Sequence, residues 1–407
     1  MSPNRRKRVL FFAEDVTLAH IARPLALAQS LDPSRYEVTL ASGMRYESFI
    51  HAAHLQHRPI TSISGKEFLH KLAAGRPIYD VEMLNNYVRE DLEVIEEINP
   101  DVIVGDFRLS LSVSARRAGV PYLALSNAYW SPYASPKFGI PTHVTVRLFG
   151  VRVANAGFSI LRPLIFAHHS LPMHQLRKRF GLPSLGFDLR RVYTDGDYTL
   201  YADVPEMVPL PHLNPANSLR HRYLGAVLWS PPIDLPSWWG LLRDDLPLVY
   251  VTMGSSGDPE LVPRIVAALS KLFCQVVVAG AGANLEALRA PKVYVADLTP
   301  GEEVARRAQL VICNGGSPTC HQALAHGVPV LGIAGNLDQF LNMHYVVASG
   351  AGKLLRADSV TQAAIESAVR ELMNGLSYAN QAARLAVVMR GYDANARLVE
   401  VLEEVMR

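Results

Sequence analysis

The chain has 407 residues, 49% hydrophobic and 19% charged, which allows about two to three domains around a large buried core. Its net charge of +3, which the opening MSPNRRKR alone can supply, is too small to point to a nucleic-acid partner. Cys274, Cys313 and Cys320 show no CxxC spacing, which excludes a disulfide scaffold and a cysteine metal site and makes the reducing cytoplasm the expected compartment.

The apolar stretch after the basic opening is interrupted at Glu14 and Asp15, too soon for a secretory core of about 7–15 residues. No window approaches about 18 uncharged apolar residues, so no membrane-spanning helix is expected. RVLFFAE reads as a buried strand. In the helix that follows, Ile21, Leu25, Ala28 and Leu31 mark one face, and Pro24 falls in the first turn, where a missing N–H is tolerated. His20 then lies at the helix N-terminus, which favours a neutral, basic imidazole. YEVTLAS is the next strand. His51, His54 and His57 recur three apart with no acid or cysteine to join them, and read as surface residues rather than a zinc site.

DVIVGD ends on Asp106. A carboxylate at the C-terminal end of a buried strand suits the Nδ1–H of His20 and the imidazolium formed when that histidine takes a proton. After the strand PYLALSN, residues 127–185 are apolar and aromatic, then basic. They are expected to line a cleft, with Asn127, Tyr129 and Trp130 near a hydrophobic ligand, in preference to lying on an anionic membrane. Thr194-Asp195-Gly196-Asp197 reads as a turn before the strand YTLYAD rather than a metal-binding Asp-x-Asp.

Prolines recur through residues 203–247, which also hold three of the four tryptophans. Such a stretch disfavours helix and central strand and reads as an extended connector. Beyond it, LVYVTMGS, QVVVAG, VYVAD, LVICN and PVLGIA alternate with helical segments such as ELVPRIVAALSKLF and TQAAIESAVRELM. Uninterrupted apolar strands alternating with helices indicate parallel sheets covered on both faces. The fold class is therefore α/β: two doubly wound, Rossmann-like domains facing a central cleft, where open sheets bind ligands at their strand ends. Gly280-Ala281-Gly282 lacks the third glycine of a dinucleotide fingerprint, which argues against NAD.

Residues 309–342 read QLVICNGGSPTCHQALAHGVPVLGIAGNLDQFLN. Ser317 is a good N-cap and Pro318 suits the first helical position. Gly315 and Gly316 let a ligand approach the backbone, and the helix amides and dipole favour an anion there, most simply a phosphate. Asp338 and Gln339 offer acceptors and donors to neighbouring hydroxyls. Phosphate plus polyol suggests a nucleotide sugar.

Taken together these motifs resemble family 1 glycosyltransferases of the GT-B fold, natural-product and macrolide type. The family's donor signature is matched by Asn314-Gly315-Gly316-Ser317-Pro318-Thr319, Gln322-Ala323-Leu324, Gly327-Val328-Pro329, Asp338-Gln339 and Asn342. The segment Gly254-Ser255-Ser256 resembles the family's Gly-Ser loop, and Leu298-Thr299 falls in the segment that packs on the nucleobase. AHIARPLALA resembles the stretch carrying the catalytic histidine, with Ala19 for Gly and Arg23 for Pro. The resemblance implies His20 and Asp106 as the catalytic pair, and donor contacts from Gly254, Ser255, Ser256, Leu298, Thr299, Asn314, Gly315, Gly316, Ser317, Thr319, Gln322, Asp338 and Gln339. It implies an inverting transfer of a sugar from a UDP- or dTDP-linked co-substrate to a hydrophobic small-molecule acceptor, with no metal and no further cofactor, in a monomer or homodimer. Asn314 stands for a histidine and Gln322 for a glutamate, which keeps open a catalytically weakened nucleotide-sugar-binding relative; a glycolipid-forming transferase at the membrane surface is the other alternative. The expected domains are 1–220 for the acceptor, a linker at 221–246, 247–377 for the donor, and helices at 378–407 packing back on the first domain.

Overall fold

The computed structural model describes residues 5–280, 288 and 290–407. Ala281 and Gly282 of the glycine-rich piece lie outside them. The chain forms two compact units: Met1–Ser135 with Ala156–Val227 and Tyr392–Arg407, and Pro136–Asn155 with Leu228–Gly391.

The first unit carries a parallel sheet of seven strands: β1 (Lys7–Ala13), β2 (Tyr36–Ser42), β3 (Gln56–Pro59), β4 (Val102–Asp106), β5 (Tyr122–Ser126), β6 (Tyr198–Tyr201) and β7 (His221–Tyr223). Their order is β3-β2-β1-β4-β5-β6-β7. The winding reverses between β1 and β4, which pair in parallel with Ala13 beside Asp106. One core cluster joins Leu10, Phe12, Ile103 and Ala124 of the strands to Val94, Ile95, Leu111 and Ala115 of the helices.

The second unit holds β8 (Leu248–Thr252), β9 (Gln275–Ala279), β10 (Val293–Ala296), β11 (Leu310–Cys313), β12 (Val330–Ala334) and β13 (Gly352–Arg356), in the order β10-β9-β8-β11-β12-β13. Here the winding reverses between β8 and β11. A buried cluster runs from Val249 and Val251 through Ile265 and Leu269 to Ile312, Ile333 and Val369.

Every strand expected from an apolar run forms. The three additional ones are short and partly polar, QHRP, HRY and GKLLR, and each lies at the edge of its sheet. Burial on fewer sides relaxes the need for apolar side chains there. The units also interrupt one another. Pro136–Asn155 belongs to the second unit, where Arg356 donates to the Ile140 carbonyl at 2.8 Å and Thr142 N–H to the Gly335 carbonyl at 2.8 Å. Of the closing helices, Leu376–Arg390 stays in the second unit, and Ala394–Val405 returns to pack on the helix Leu18–Gln29.

The helix Val144–Arg179 reaches the length and apolar character of a spanning segment, although no run of it holds 18 uncharged apolar residues. It has an 18-residue window of mean hydropathy 1.3. Scattered arginines break up its uncharged runs without removing its apolar character. Its dihedrals leave the helical region at Gly150 (φ 73°), where glycine carries no Cβ penalty.

His221 on β7 stacks on Tyr201, and its Nδ1 lies 2.8 Å from the Tyr201 hydroxyl. Burial pushes this imidazole down to about 4. The unfolded chain takes up the proton near pH 6.5 and the folded chain resists it, so the contribution is complete above about 6.5 and is lost as pH falls toward 4. Discounted for partial exposure, the loss should be about 2 kcal/mol. Urea denaturation at pH 7 and pH 4.5 should show a fall that His221→Gln flattens.

Candidate active site

In the first unit His20 and Asp106 meet at the reversal point between β1 and β4. His20 occupies the first turn of the helix Leu18–Gln29, whose N-cap Thr17 makes no side-chain cap. Its Nδ1 lies 2.7 Å from Asp106 Oδ1. A carboxylate only accepts, so Nδ1 carries the proton and Nε2 is the basic atom. Asp106 is buried and His20 is partly exposed.

Arg23, whose side-chain partners the sequence did not reveal, completes this centre. Its Nη2 donates to Asp106 Oδ1 at 2.9 Å and its Nη1 to Asn127 Oδ1 at 2.6 Å. Asn127 Nδ2 in turn donates to Asp203 at 3.1 Å. A buried fork of this kind fixes the orientation of the Asp106 carboxylate. The sequence signal for it was the arginine standing where the family pattern has a proline.

The residues after Asp106 are pinned as well. Phe107 sits at φ 60°, a region a bulky residue seldom enters without support. Arg108 supplies that support. It is fully buried and donates to Asp91 at 2.9 Å, Glu90 at 2.9 Å, Glu14 at 3.2 Å and the Thr61 carbonyl at 2.5 Å. Burial raises the Glu14 and Asp91 carboxyls against the attraction of Arg108.

Phe107 stacks on the His20 ring at 4.8 Å and packs against Tyr193, which meets the edge of Trp130 at 4.9 Å. Tyr79 and Tyr193 also line a small recess of about 20 Å³ with Ile78, Leu84, Met173 and Val192. Of the three residues expected near an acceptor, Trp130 joins this aromatic group. Tyr129 is fully buried, and Asn127 is engaged by Arg23 and Asp203. Those two hold structure rather than an open surface.

In the second unit, the loop after β8 and the turn after β11 meet at the reversal point of that sheet. Asn314 Nδ2 donates to Ser256 Oγ at 3.1 Å, and Asn314 Oδ1 accepts from Gly316 N–H at 3.0 Å. The residue thus ties the two loops together. Gly254 and Gly315 take the positive φ values 59° and 82°. The helix runs from Ser317 to Ala325 with Gly316 as N-cap, one residue earlier than expected. Pro318 at the second helical position has no N–H, which leaves the amides of Ser317 and Thr319 in the first turn.

A Cβ on Gly315 would stand 2.6 Å from Met343 Cγ, in addition to the cost of the left-handed dihedral. Gly315→Ala should lose about 2–3 kcal/mol of stability. Gly316, at φ −70° with its nearest neighbour at 3.3 Å, should tolerate alanine far better. Chemical denaturation of both variants checks the contrast.

The remaining donor candidates divide. Gln339 is buried in a capping box with Asn336, its Oε1 accepting from Gly335 and Asn336 and its Nε2 reaching the Ser256 carbonyl at 3.4 Å. The cap of that helix is Asn336, and Asp338 lies partly exposed in its first turn. Gln322 donates to the Trp229 carbonyl. Thr299 is buried against the Tyr250 hydroxyl at 2.9 Å, and Leu298 is exposed.

Among the described residues, Glu47, His51 and His57 gather ligand atoms within 4.8 Å of one another. This corrects the expectation that no acid joins those histidines and that His57 is a surface residue: its side chain is 4% exposed. In the Asp-x-Asp turn, Asp195 pairs with Arg116 at 2.9 Å and Arg177 at 3.1 Å, and Asp197 accepts from Tyr122 N–H at 2.9 Å.

Two doubly wound domains, each with its polar loops at the reversal point of its sheet, are the architecture of the GT-B fold. Residues 263–405 match the erythromycin biosynthesis protein CIII-like C-terminal domain family. The chain is 49% identical over 382 residues to the PGL/p-HBAD biosynthesis glycosyltransferase of Mycobacterium tuberculosis (strain ATCC 25177 / H37Ra), covering 94% of this chain and 88% of that one. It is 50% identical over 383 residues to the PGL/p-HBAD biosynthesis rhamnosyltransferase of Mycobacterium bovis (strain BCG / Pasteur 1173P2), at 94% and 84% coverage. An inactive PGL/p-HBAD biosynthesis glycosyltransferase of the same strain is 51% identical over 267 residues, 66% of this chain and 72% of its own. Among solved structures, the spinosyn forosaminyltransferase SpnP superposes with a TM-score of 0.70 at 19% identity, covering 99% of this chain and all of its own. The glycosyltransferase VinC in complex with dTDP superposes at 0.68 and 17% identity, over 98% and 99%. The chain belongs to the family of PGL/p-HBAD biosynthesis glycosyltransferases.

Proposed function

We propose that this glycosyltransferase moves a sugar from a UDP- or dTDP-linked donor to a hydroxyl of a hydrophobic acceptor, with inversion at the anomeric carbon. The observation that carries the reading is the His20–Asp106 pair, a base and its orienting carboxylate 2.7 Å apart at a strand-end reversal point. His20 Nε2 takes the acceptor proton as the oxygen attacks, and Asp106 stabilises the resulting imidazolium. The diphosphate leaves from the turn at Gly315–Thr319, where helix amides meet the developing charge without requiring a metal. Gly254, Ser255 and Ser256 extend that cradle, and Asp338 takes a sugar hydroxyl. The aromatic group of Phe107, Trp130 and Tyr193 supports an apolar acceptor, and the rhamnosyltransferase among the relatives supports a deoxyhexose donor.

A thermal-shift screen over UDP, dTDP, their sugars, NAD and AMP tests the donor class. A ligand present at about 100 times its Kd stabilises by about 2.7 kcal/mol. The melting temperature should rise by several degrees with UDP or dTDP compounds and stay fixed with NAD and AMP. No response to any uridine or thymidine diphosphate removes the proposal. A second reading, a catalytically weakened binder, is favoured by Asn314 and Gln322, whose side chains are spent on Ser256, Gly316 and Trp229, and by the inactive relative. That reading expects the thermal shift without turnover of the donor.

A further inference from the structure

The helical residues that follow Gly150 have two apolar faces. One is buried: Phe158, Phe166, Met173 and Leu176 recur at spacings of three, seven and eight. The opposite face is also apolar and open, with Val153, Ile160, Leu161, Leu164 and Leu171 all exposed, Ile160 to 77% and Leu164 to 69%. A helix apolar all round is ordinarily covered on both sides. The open stripe runs about 27 Å from Val153 to Leu171. The preceding turn adds Leu148 and Phe149, exposed to 69% and 62%.

Charge indicates what covers this stripe. No aspartate or glutamate occurs between Asp106 and Asp188, and residues 136–187 contain seven lysines and arginines. Arg147 and Arg152 are exposed at the start of the stripe and Lys178 beyond its end. A second copy of the chain packed about a twofold axis would set this acid-free surface against itself, cation facing cation. A small-molecule ligand needs a concavity that encloses most of its surface, which the outer face of a single helix does not provide. An apolar stripe flanked by cations matches the headgroup and acyl boundary of an anionic bilayer.

We propose that the open face of residues 153–171 is a peripheral contact with an anionic lipid bilayer. The helix lies along the membrane surface and does not cross it, because its other face is already covered. The catalytic pair and the nucleotide turn take no part in this contact.

The full-length chain is sedimented with vesicles of phosphatidylcholine and with vesicles of equal parts phosphatidylcholine and phosphatidylglycerol. It should pellet with the anionic vesicles, less so at high salt. The variant Ile160→Ser/Leu161→Ser/Leu164→Ser should lower the partition coefficient about tenfold or more. Arg147→Glu/Arg152→Glu should remove most of the salt-dependent part. Leu376→Ser, an exposed apolar residue on another helix, should pellet like the parent, and circular dichroism should confirm that all variants fold. The proposal is overturned if the parent chain stays in the supernatant with both vesicles, or if the triple variant pellets unchanged. It is also overturned if sedimentation velocity shows a dimer that the triple variant converts to monomer while vesicles leave it intact.

Discussion

His20→Ala is expected to lower sugar transfer by about 10²–10⁴-fold while leaving donor binding and stability nearly unchanged. The side chain is partly exposed and makes one strong bond, to Asp106, so little packing is lost. A nucleotide-release assay with acceptor present, run beside a thermal-shift measurement with the donor alone, separates chemistry from binding. Asp106→Asn should also impair transfer, since an amide neither requires the Nδ1–H tautomer nor stabilises an imidazolium. Full turnover by His20→Ala would show that another group takes the proton.

The second large effect belongs to Arg23→Met. The guanidinium is buried between Asp106 and Asn127, and removing it strands the carboxylate of Asp106 away from water. Breaking a buried pair by deleting one partner costs about 3–5 kcal/mol. Urea denaturation should show that loss, and transfer should fall with it because Asp106 is no longer oriented. Arg23→Lys keeps the charge without the planar fork that reaches two partners, so it should restore much of the stability and less of the rate. Wild-type kcat in a folded Arg23→Met chain would reduce Arg23 to a packing residue.

The fold was legible because parallel strands buried on both faces leave continuous apolar runs, and the strands so marked are all present. The strands at the sheet edges were not, since QHRP, HRY and GKLLR carry no such run. His20 and Asp106 could be located because strand ends are visible in sequence and parallel topology aligns them. Arg23 could not be read in the same way: its meaning depends on contacts with positions 106 and 127, which no local pattern encodes. The helix cap at Ser317 was placed one residue late, because the cap is set by dihedrals and by which group reaches an amide first. Tyr129 shows the other limit, for an aromatic residue after a strand packs inward as readily as it lines a site.

The return of Ala394–Val405 to the first unit has a consequence for biosynthesis. Leu398, Val401 and Leu402 are buried in this helix, which packs on the helix that bears His20. A chain emerging from the ribosome can assemble the β1–β7 sheet early, yet its last covering helix is translated only after the entire second lobe. Until that helix emerges, the apolar surface it covers stays bare. Chains truncated before Ala394 should therefore be chaperone clients.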